Sequence, residues 1–381
     1  MKKIYFPNLN GLRFIAALLV IIHHVEQFRN LLGQESYWDT SYAVRMIGPL
    51  GVCLFFVLSG FLITYLLLEE QQSTGTISIK DFYIRRILRI WGLYYLIIVL
   101  SLFILPNIAF FNVPGLTELV RENFFIKATL FVLFLPNLAH GLFQMVPYGA
   151  QTWSIGVEEQ FYLIQPLIVK KFKNLPVILF VIIFVYFTIK WSFLKADVLY
   201  PNPYLMVISG FWQSLNFDVL AIGGLAAVIL FKKHKILKLI FNRFVQVFIL
   251  LLTIFLIWNG VFMRAVHFEF YATLFAIIIL NLAANPKNIL NLENPVLNYL
   301  GKISYGLYMY HVLVIVTIIK VFLMLEVSSP ILMYILSLAL TIPISAISYH
   351  FFENKLIKQK SRFSKILSGD SLSEKAESSK L

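Results

Sequence analysis

The chain has 381 residues, of which 59% are hydrophobic and 13% are charged, and its formal net charge at pH 7 is +13. Soluble domains carry about 25% charged residues, so this composition excludes an ordinary water-soluble protein. The apolar residues form long runs that suit helices crossing a bilayer core about 30 Å thick, and they lack the alternation typical of a transmembrane barrel. The Lys and Arg clusters between these runs indicate loops that face anionic lipid rather than a nucleic-acid site.

The apolar runs predict an all-α integral membrane protein with about ten transmembrane helices. The predicted spans are 11–29, 46–68, 90–106, 153–169, 175–192, 205–231, 244–260, 268–284, 303–325 and 331–352. The first run is interpreted as a retained helix and not as a signal peptide, because no small-residue cleavage pattern follows it. The charges of the loops place both termini in the cytoplasm. With ten spans, the short apolar segment 124–139 must be re-entrant or interfacial.

The domain prediction is simple. Residues 1–357 form one transmembrane domain, and residues 358–381 form a cytoplasmic tail that is first basic and then disordered. The single cysteine, Cys53, excludes an intrachain disulfide and a cysteine zinc site, and no metal is expected. The sequence contains no HExxH, Walker or GxSxG motif, so metalloprotease, nucleotide-hydrolysis and serine-hydrolase chemistry have no support.

Ionisable residues inside apolar runs are candidate functional residues, because a charge in a bilayer is costly. Arg13 and His24 are eleven residues apart in the first run, so both lie on one face of a helix about 16 Å apart along its axis. They could line one cavity, with the guanidinium near the cytoplasm and the imidazole deeper. His24 could equally be a hydrogen-bonded core histidine.

Further polar residues allow two interpretations each. Arg85, Arg86 and Arg89 set topology, or they bind phosphate, whose oxygens suit guanidinium groups. Glu158, near the outer end of the fourth span, can orient a histidine or a sugar substrate or can act as a base itself, or it is a helix-start charge favoured by the helix dipole. A structural hydrogen bond is the favoured role of Asp218.

Two other features have a favoured structural interpretation. A local salt bridge at the inner surface is the favoured role of Glu353. The small residues of the second span, namely Gly48, Gly51, Ser59 and Gly60, favour close packing of helices.

Six segments, taken in order over residues 5–355, resemble the acyltransferase 3 family of polytopic membrane acyltransferases. They are NLNGLRFIAALLVIIHH, GVCLFFVLSGFLI, FYIRRILRIWGLYYL, TWSIGVEEQFYLIQPL, SYGLYMYH and YHFFE. The spacing of Arg13 and His24 fits the Arg-x10-His pattern of that family. No single segment is specific, but six in the same order are.

The resemblance implies a role for each matched residue. His24 corresponds to the essential histidine, and Glu158 to the functional acidic residue. Arg13 is the functional arginine paired with this histidine, and we group it with the arginines 85, 86 and 89 as the acyl-CoA-binding residues. The residues expected around the substrate or its cavity are Trp153, Ser154, Tyr162, Tyr308 and His311.

The expected function is transfer of an acyl group, expected to be acetyl, from cytoplasmic acyl-CoA to a hydroxyl of an extracytoplasmic carbohydrate. This carbohydrate would be a cell-envelope polysaccharide, lipopolysaccharide or peptidoglycan. Acyl-CoA is expected as the donor substrate, with no permanently bound cofactor. Neutral imidazole, with an ordinary pKa near 6.5, would act as the base or would carry the acyl group itself.

The remaining expectations concern location, partners and alternatives. The protein is expected in a bacterial inner or plasma membrane, in contact with lipid and not with nucleic acid. Some family members carry a further extracytoplasmic domain; if a second transfer step outside is needed, a separate extracytoplasmic transferase protein is expected to supply it. The alternatives are a multi-span transporter of a polysaccharide subunit or proton-coupled solute, which should contain internal repeats, and a non-catalytic scaffold.

Overall fold

The computed structural model describes residues 2–143 and 145–368, which form a helical bundle with two short strands. The first half contains β1 (Lys2–Ile4), α1 (Leu9–Leu31), α2 (Tyr42–Thr74), α3 (Ile79–Arg86), α4 (Gly92–Val99), α5 (Phe124–Val132), α6 (Pro136–Leu142) and α7 (Thr152–Lys171). The second half contains α8 (Leu175–Leu199), α9 (Pro203–Leu215), α10 (Phe217–Phe231), α11 (Leu237–Ile240), α12 (Arg243–Trp258), α13 (His267–Ala284), α14 (Pro295–Lys302), α15 (Ser304–Met324), α16 (Pro330–Ser348), α17 (Asn354–Lys360) and β2 (Ile366–Ser368).

The predicted all-α membrane architecture is confirmed. Within the described residues, eight helical segments are long and apolar enough to cross a membrane. The two other predicted spans, 153–169 and 244–260, coincide with α7 and with the shorter apolar helix α12. The sidedness of the bundle stays a prediction. We call the end at which α1 begins, and near which Arg86 and Lys170 lie, the basic end.

The segment predicted to be re-entrant or interfacial forms two short helices, α5 and α6, with a break at Phe134, whose φ is 59°. Tyr94 holds this break, because its ring stacks on Phe134 at 4.3 Å and its hydroxyl donates to the carbonyl of Phe131 at 2.8 Å. The interruption by Pro136, which begins α6, fits the lack of a continuous helix. The position of this segment relative to a membrane stays a prediction.

The centre of the bundle is helix α2, which packs against α1 and α10. Two glycines bring α2 and α10 into backbone contact. A Cβ on Gly60 would lie 1.9 Å from the carbonyl oxygen of Leu220, and one on Gly223 would lie 2.2 Å from that of Val57. The predicted role of Gly60 in close helix approach agrees with this packing. Ser59 has a different role, because its hydroxyl donates to Glu158 at 2.6 Å.

The two described ends of the chain pair with each other. Strands β1 and β2 are parallel, with Lys2 opposite Ile366, and Lys2 also forms an ion pair with Glu69 of α2 at 2.6 Å. Ile366 and Leu367, which belong to the predicted tail, are buried apolar residues of β2. Residues 369–381 of the predicted tail lie outside the described residues.

A buried ion cluster connects three helices. The Nζ of Lys190 in α8 lies 3.1 Å from an oxygen of Asp218 in α10 and also contacts Glu269 of α13. Asp218 therefore has a structural contact, as expected, but the contact is an ion pair with Lys190 and not a simple hydrogen bond. Its basic partner is 28 residues away in the sequence and could not be assigned from the local pattern.

We expect Lys190→Met to destabilise the protein, because it leaves two carboxylates buried without their cation. Breaking a buried ion pair in this way costs about 3–5 kcal/mol. The measurement is the thermal unfolding temperature of the detergent-solubilised protein. Lys195→Met removes the same charge from the exposed surface of the same helix and is the matched control. Equal unfolding temperatures of the two variants would contradict this role.

Candidate active site

Two cavities lie end to end inside the bundle. The first, which we call the basic cavity, opens toward the basic end and has a volume of about 170 Å³. Its polar and charged lining residues are Tyr5, Asn10, Arg13, Ser59, Arg86, Arg89, Ser154, Glu158, Tyr162, Ser304, Tyr305, Tyr308, Lys360 and Ser368. Four of these carry positive charge, so the basic cavity has the charge that suits phosphate groups.

Lys360 is the cation of the basic cavity that the sequence did not identify. It belongs to α17, lies in the region predicted as a tail, and is only 5% exposed. Residues of the predicted tail pack against the basic end of the bundle, since the carbonyl oxygen of Phe363 accepts a hydrogen bond from Arg85 at 2.7 Å. A basic cluster after the last span is usually a topology signal, so only the folded chain could single out this lysine.

The cluster of three arginines divides into two groups. Arg86 and Arg89 line the basic cavity, and the guanidinium of Arg86 lies 5.8 Å from the ring centre of Tyr162. Arg85 does not line it. Its guanidinium forms a buried ion pair with Glu70 at 3.0 Å. That Arg85 binds acyl-CoA stays a prediction, although its guanidinium is paired with a carboxylate and it lines a small pocket with Arg86 and Lys360 instead of the basic cavity.

Glu158 faces the basic cavity and does not share a cavity with His24. It accepts hydrogen bonds from Ser59 at 2.6 Å and from Tyr162 at 3.2 Å. The predicted contact of Glu158 with the base is thus not present. Tyr162 lies four residues after Glu158, one helical turn along α7, so this contact follows from the local sequence. The other partner, Ser59, belongs to α2 and could not be assigned from the local sequence.

The second cavity, which we call the polar cavity, has a volume of about 620 Å³ and opens away from the basic end. Its polar lining residues are His23, His24, Gln27, Cys53, Asn137, His140, Gln151, Gln213, Ser214 and Asn216. Its aromatic lining residues are Phe56, Phe143, Trp153 and Phe268. The break between α9 and α10 supplies part of this lining, since Asn216 adopts a left-handed conformation with φ 48°.

His24 lines the polar cavity and is in contact with His311, a predicted cavity residue that lines neither the basic nor the polar cavity. The Nδ1 atom of His24 lies 3.0 Å from the carbonyl oxygen of Val20 and 3.0 Å from the Nε2 atom of His311. A carbonyl oxygen can only accept, so the contact with Val20 is a hydrogen bond in the tautomer that carries the hydrogen on Nδ1 and leaves the lone pair on Nε2. The ring of His311, which is fully buried, lies against the ring of His24, with ring centres 4.8 Å apart.

A thin wall separates the two cavities. Val52 and Phe56, one turn apart on α2, line both. Phe56 meets Trp153 edge to face, with ring centres 6.0 Å apart. Next to this wall, the hydroxyl of Tyr308 lies 2.6 Å from that of Ser154. The same two side chains of α2 therefore border both cavities.

The sequence predicted that Arg13 and His24 line one cavity. Arg13 instead lines the basic cavity and His24 the polar cavity. The residues share a helix face, but side chains of α2 pack between them. Of the other predicted residues, Tyr162 belongs to the basic cavity and Trp153 to the polar cavity, while Ser154 and Tyr308 line the basic cavity at the wall.

The described residues thus form a multi-span helical bundle with a cationic cavity toward one end and a histidine-containing cavity toward the other. The chain belongs to the family described as "Acyltransferase domain", whose model matches residues 6–350.

The chain is also similar to curated bacterial proteins. It is 28% identical over 389 residues to the O-acetyltransferase OatA of two Staphylococcus aureus strains, NCTC 8325 and COL. It is 27% identical over 379 residues to a predicted O-acetyltransferase of strain COL. These alignments cover 93% and 94% of this chain, respectively, and 58% of each relative, so the chain spans less than two thirds of their length. No solved structure matches the chain.

Proposed function

We propose that this protein is a membrane O-acetyltransferase that moves an acetyl group from acyl-CoA in the basic cavity to a carbohydrate hydroxyl in the polar cavity. The observation that carries this proposal is the shared wall of Val52 and Phe56, with cations on one side and His24 on the other. The family and the names of the relatives support the reaction type. The basic end would face the cytoplasm of a bacterial cell.

The donor end of the reaction follows from charge. The guanidinium groups of Arg13, Arg86 and Arg89 and the ammonium of Lys360 would hold the phosphates of acyl-CoA. The pantetheine arm would then extend along the cavity toward Phe56. Glu158 balances part of the positive charge and keeps Tyr162 in position through their hydrogen bond.

The acceptor end of the reaction depends on His24. Its Nε2 would take the proton of an acceptor hydroxyl while the hydroxyl oxygen attacks the thioester carbonyl carbon. The new carbon–oxygen bond replaces the carbon–sulfur bond, and the departing CoA thiolate takes up the proton that His24 has accepted, which restores neutral imidazole. Side chains of the wall must move for the thioester carbon to reach this oxygen, so the wall also keeps the two compartments apart between turnovers.

Binding of the donor tests the first half of this proposal. We expect acetyl-CoA to raise the unfolding temperature of the purified protein in detergent, because a ligand at 100 times its Kd stabilises by about 2.7 kcal/mol. Acetate and dephosphorylated pantetheine at the same concentration are the controls. A transporter or a scaffold would show no stabilisation, and that result would reject a donor site in the basic cavity.

Envelope glycans from cells with and without the protein, compared by mass spectrometry, test the second half of the proposal through the loss of acetyl esters.

A further inference from the structure

The two cavities differ in charge. The basic cavity contains four cationic side chains and one carboxylate. Among the described residues that line the polar cavity there is no Asp, Glu, Lys or Arg. The polar groups there are three histidines, a thiol, a serine and five side-chain amides. An anionic ligand in such a cavity would lose its water without gaining a counter-charge.

The nearest ion cluster does not supply that counter-charge. Lys190, Asp218 and Glu269 lie behind the lining residues Asn216 and Phe268, and they comprise one ammonium and two carboxylates. The ammonium is already engaged by both carboxylates. The cluster therefore has no free positive charge to offer an anion in the polar cavity.

One amide of the polar cavity has a fixed orientation. The Nε2 atom of Gln151 donates to the carbonyl oxygens of Tyr148 at 3.0 Å and Met309 at 2.9 Å. Because both partners can only accept, the nitrogen is assigned unambiguously and Oε1 points the other way. Gln151 is 2% exposed, and its Oε1 is buried without a hydrogen-bond donor among the described residues. A buried acceptor of this kind requires a donor, such as a ligand hydroxyl or N–H.

We propose that the polar cavity binds an electrically neutral sugar unit, a hexose or an N-acetylhexosamine, whose hydroxyl or amide group donates to Oε1 of Gln151. The aromatic side chains of Trp153 and Phe268 contact the apolar face of the sugar ring, and amides such as Gln213 bond its remaining hydroxyls. Sugars that carry carboxylate or phosphate are excluded. This inference rests on the proposed function, which places the acceptor in this cavity.

Equilibrium binding of two oligosaccharides of equal length tests the charge preference. The protein is held in lipid nanodiscs without acetyl-CoA, and the probes are a tetrasaccharide of N-acetylglucosamine and one of galacturonic acid. We expect the neutral probe to bind at least about tenfold more tightly, a difference of about 1.4 kcal/mol. Equal binding, tighter binding of the anionic probe, or binding of neither overturns the inference. If acetyl-CoA still stabilises the same preparation, the proposed donor site survives that result.

Two sets of variants sharpen the test. Gln151→Met should weaken binding of the neutral probe at least about tenfold. Gln246→Met is its control, because Gln246 also donates to two backbone carbonyls, those of Phe241 and Lys287, but lies outside the polar cavity. At Gln27, which lines the polar cavity, Glu and Lys substitutions should change binding of the neutral probe alike. Equal losses for Gln151→Met and Gln246→Met, or opposite effects of the two charges at position 27, would argue against a neutral sugar at this site.

Discussion

Replacing His24 with glutamine is expected to reduce acetyl transfer by about 10²–10⁴-fold, the usual contribution of a general base. The reason is that Nε2 of His24 is the proposed proton acceptor, whereas an amide cannot accept the proton. Acetyl-CoA should still stabilise the variant, because its proposed binding site is the basic cavity and His24 lines the polar cavity. The measurement is the rate of acetyl ester formation together with the unfolding temperature in the presence of acetyl-CoA.

His23 provides the matched control for this prediction. It is the neighbouring residue, it also lines the polar cavity, and its Nδ1 bonds the carbonyl oxygen of Val44 at 3.0 Å. His23→Gln should therefore retain most of the activity. His311→Asn should have an intermediate effect, because His311 positions the ring of His24 and does not touch the acceptor. A folded His24→Gln protein with the wild-type rate would remove the assignment of His24 as the base.

Substituting Arg86 and Arg89 together with glutamine is expected to raise the KM for acetyl-CoA by roughly 10–100-fold, because each charged hydrogen bond contributes about 1.5–3 kcal/mol and the cluster shares the phosphates. The turnover number at saturating acetyl-CoA should change much less, since neither arginine reaches the polar cavity. Lys360→Gln should raise the same KM by a smaller factor. Initial rates at varied acetyl-CoA concentrations give both constants.

Arg85→Gln separates donor binding from the stability of the fold. Arg85 is adjacent in sequence but forms an ion pair with Glu70 outside the basic cavity. This variant should unfold at a lower temperature, because Glu70 loses its partner, and should keep its KM for acetyl-CoA. If Arg85→Gln raises the KM for acetyl-CoA as much as the double variant does, the distinction between arginines that line the basic cavity and Arg85, which does not, would be wrong for donor binding.

Several features followed from sequence because they depend on local physics. Helices in a bilayer must satisfy their own backbone hydrogen bonds, so a run of about 20 apolar residues, such as 11–29, reports a membrane helix almost directly. The break in segment 124–139 could also be expected, because Lys127 and Pro136 interrupt it. The small residue at position 60 predicted close packing, although the partner helix could not be named.

The sequence alone determined the membrane class, the helices, and Arg13, His24 and the arginine cluster as candidates, since composition, period and motif order are properties of contiguous residues. Only the tertiary structure decided which candidates meet. It placed Arg13 and His24 in different cavities, paired Arg85 with Glu70 outside the basic cavity, gave Glu158 a partner on α2, and placed Lys360 at the basic cavity and Gln151 at the polar cavity. These outcomes depend on side chains from helices far apart in the sequence, and the approach of such helices is fixed by packing across the whole bundle, which no local pattern encodes.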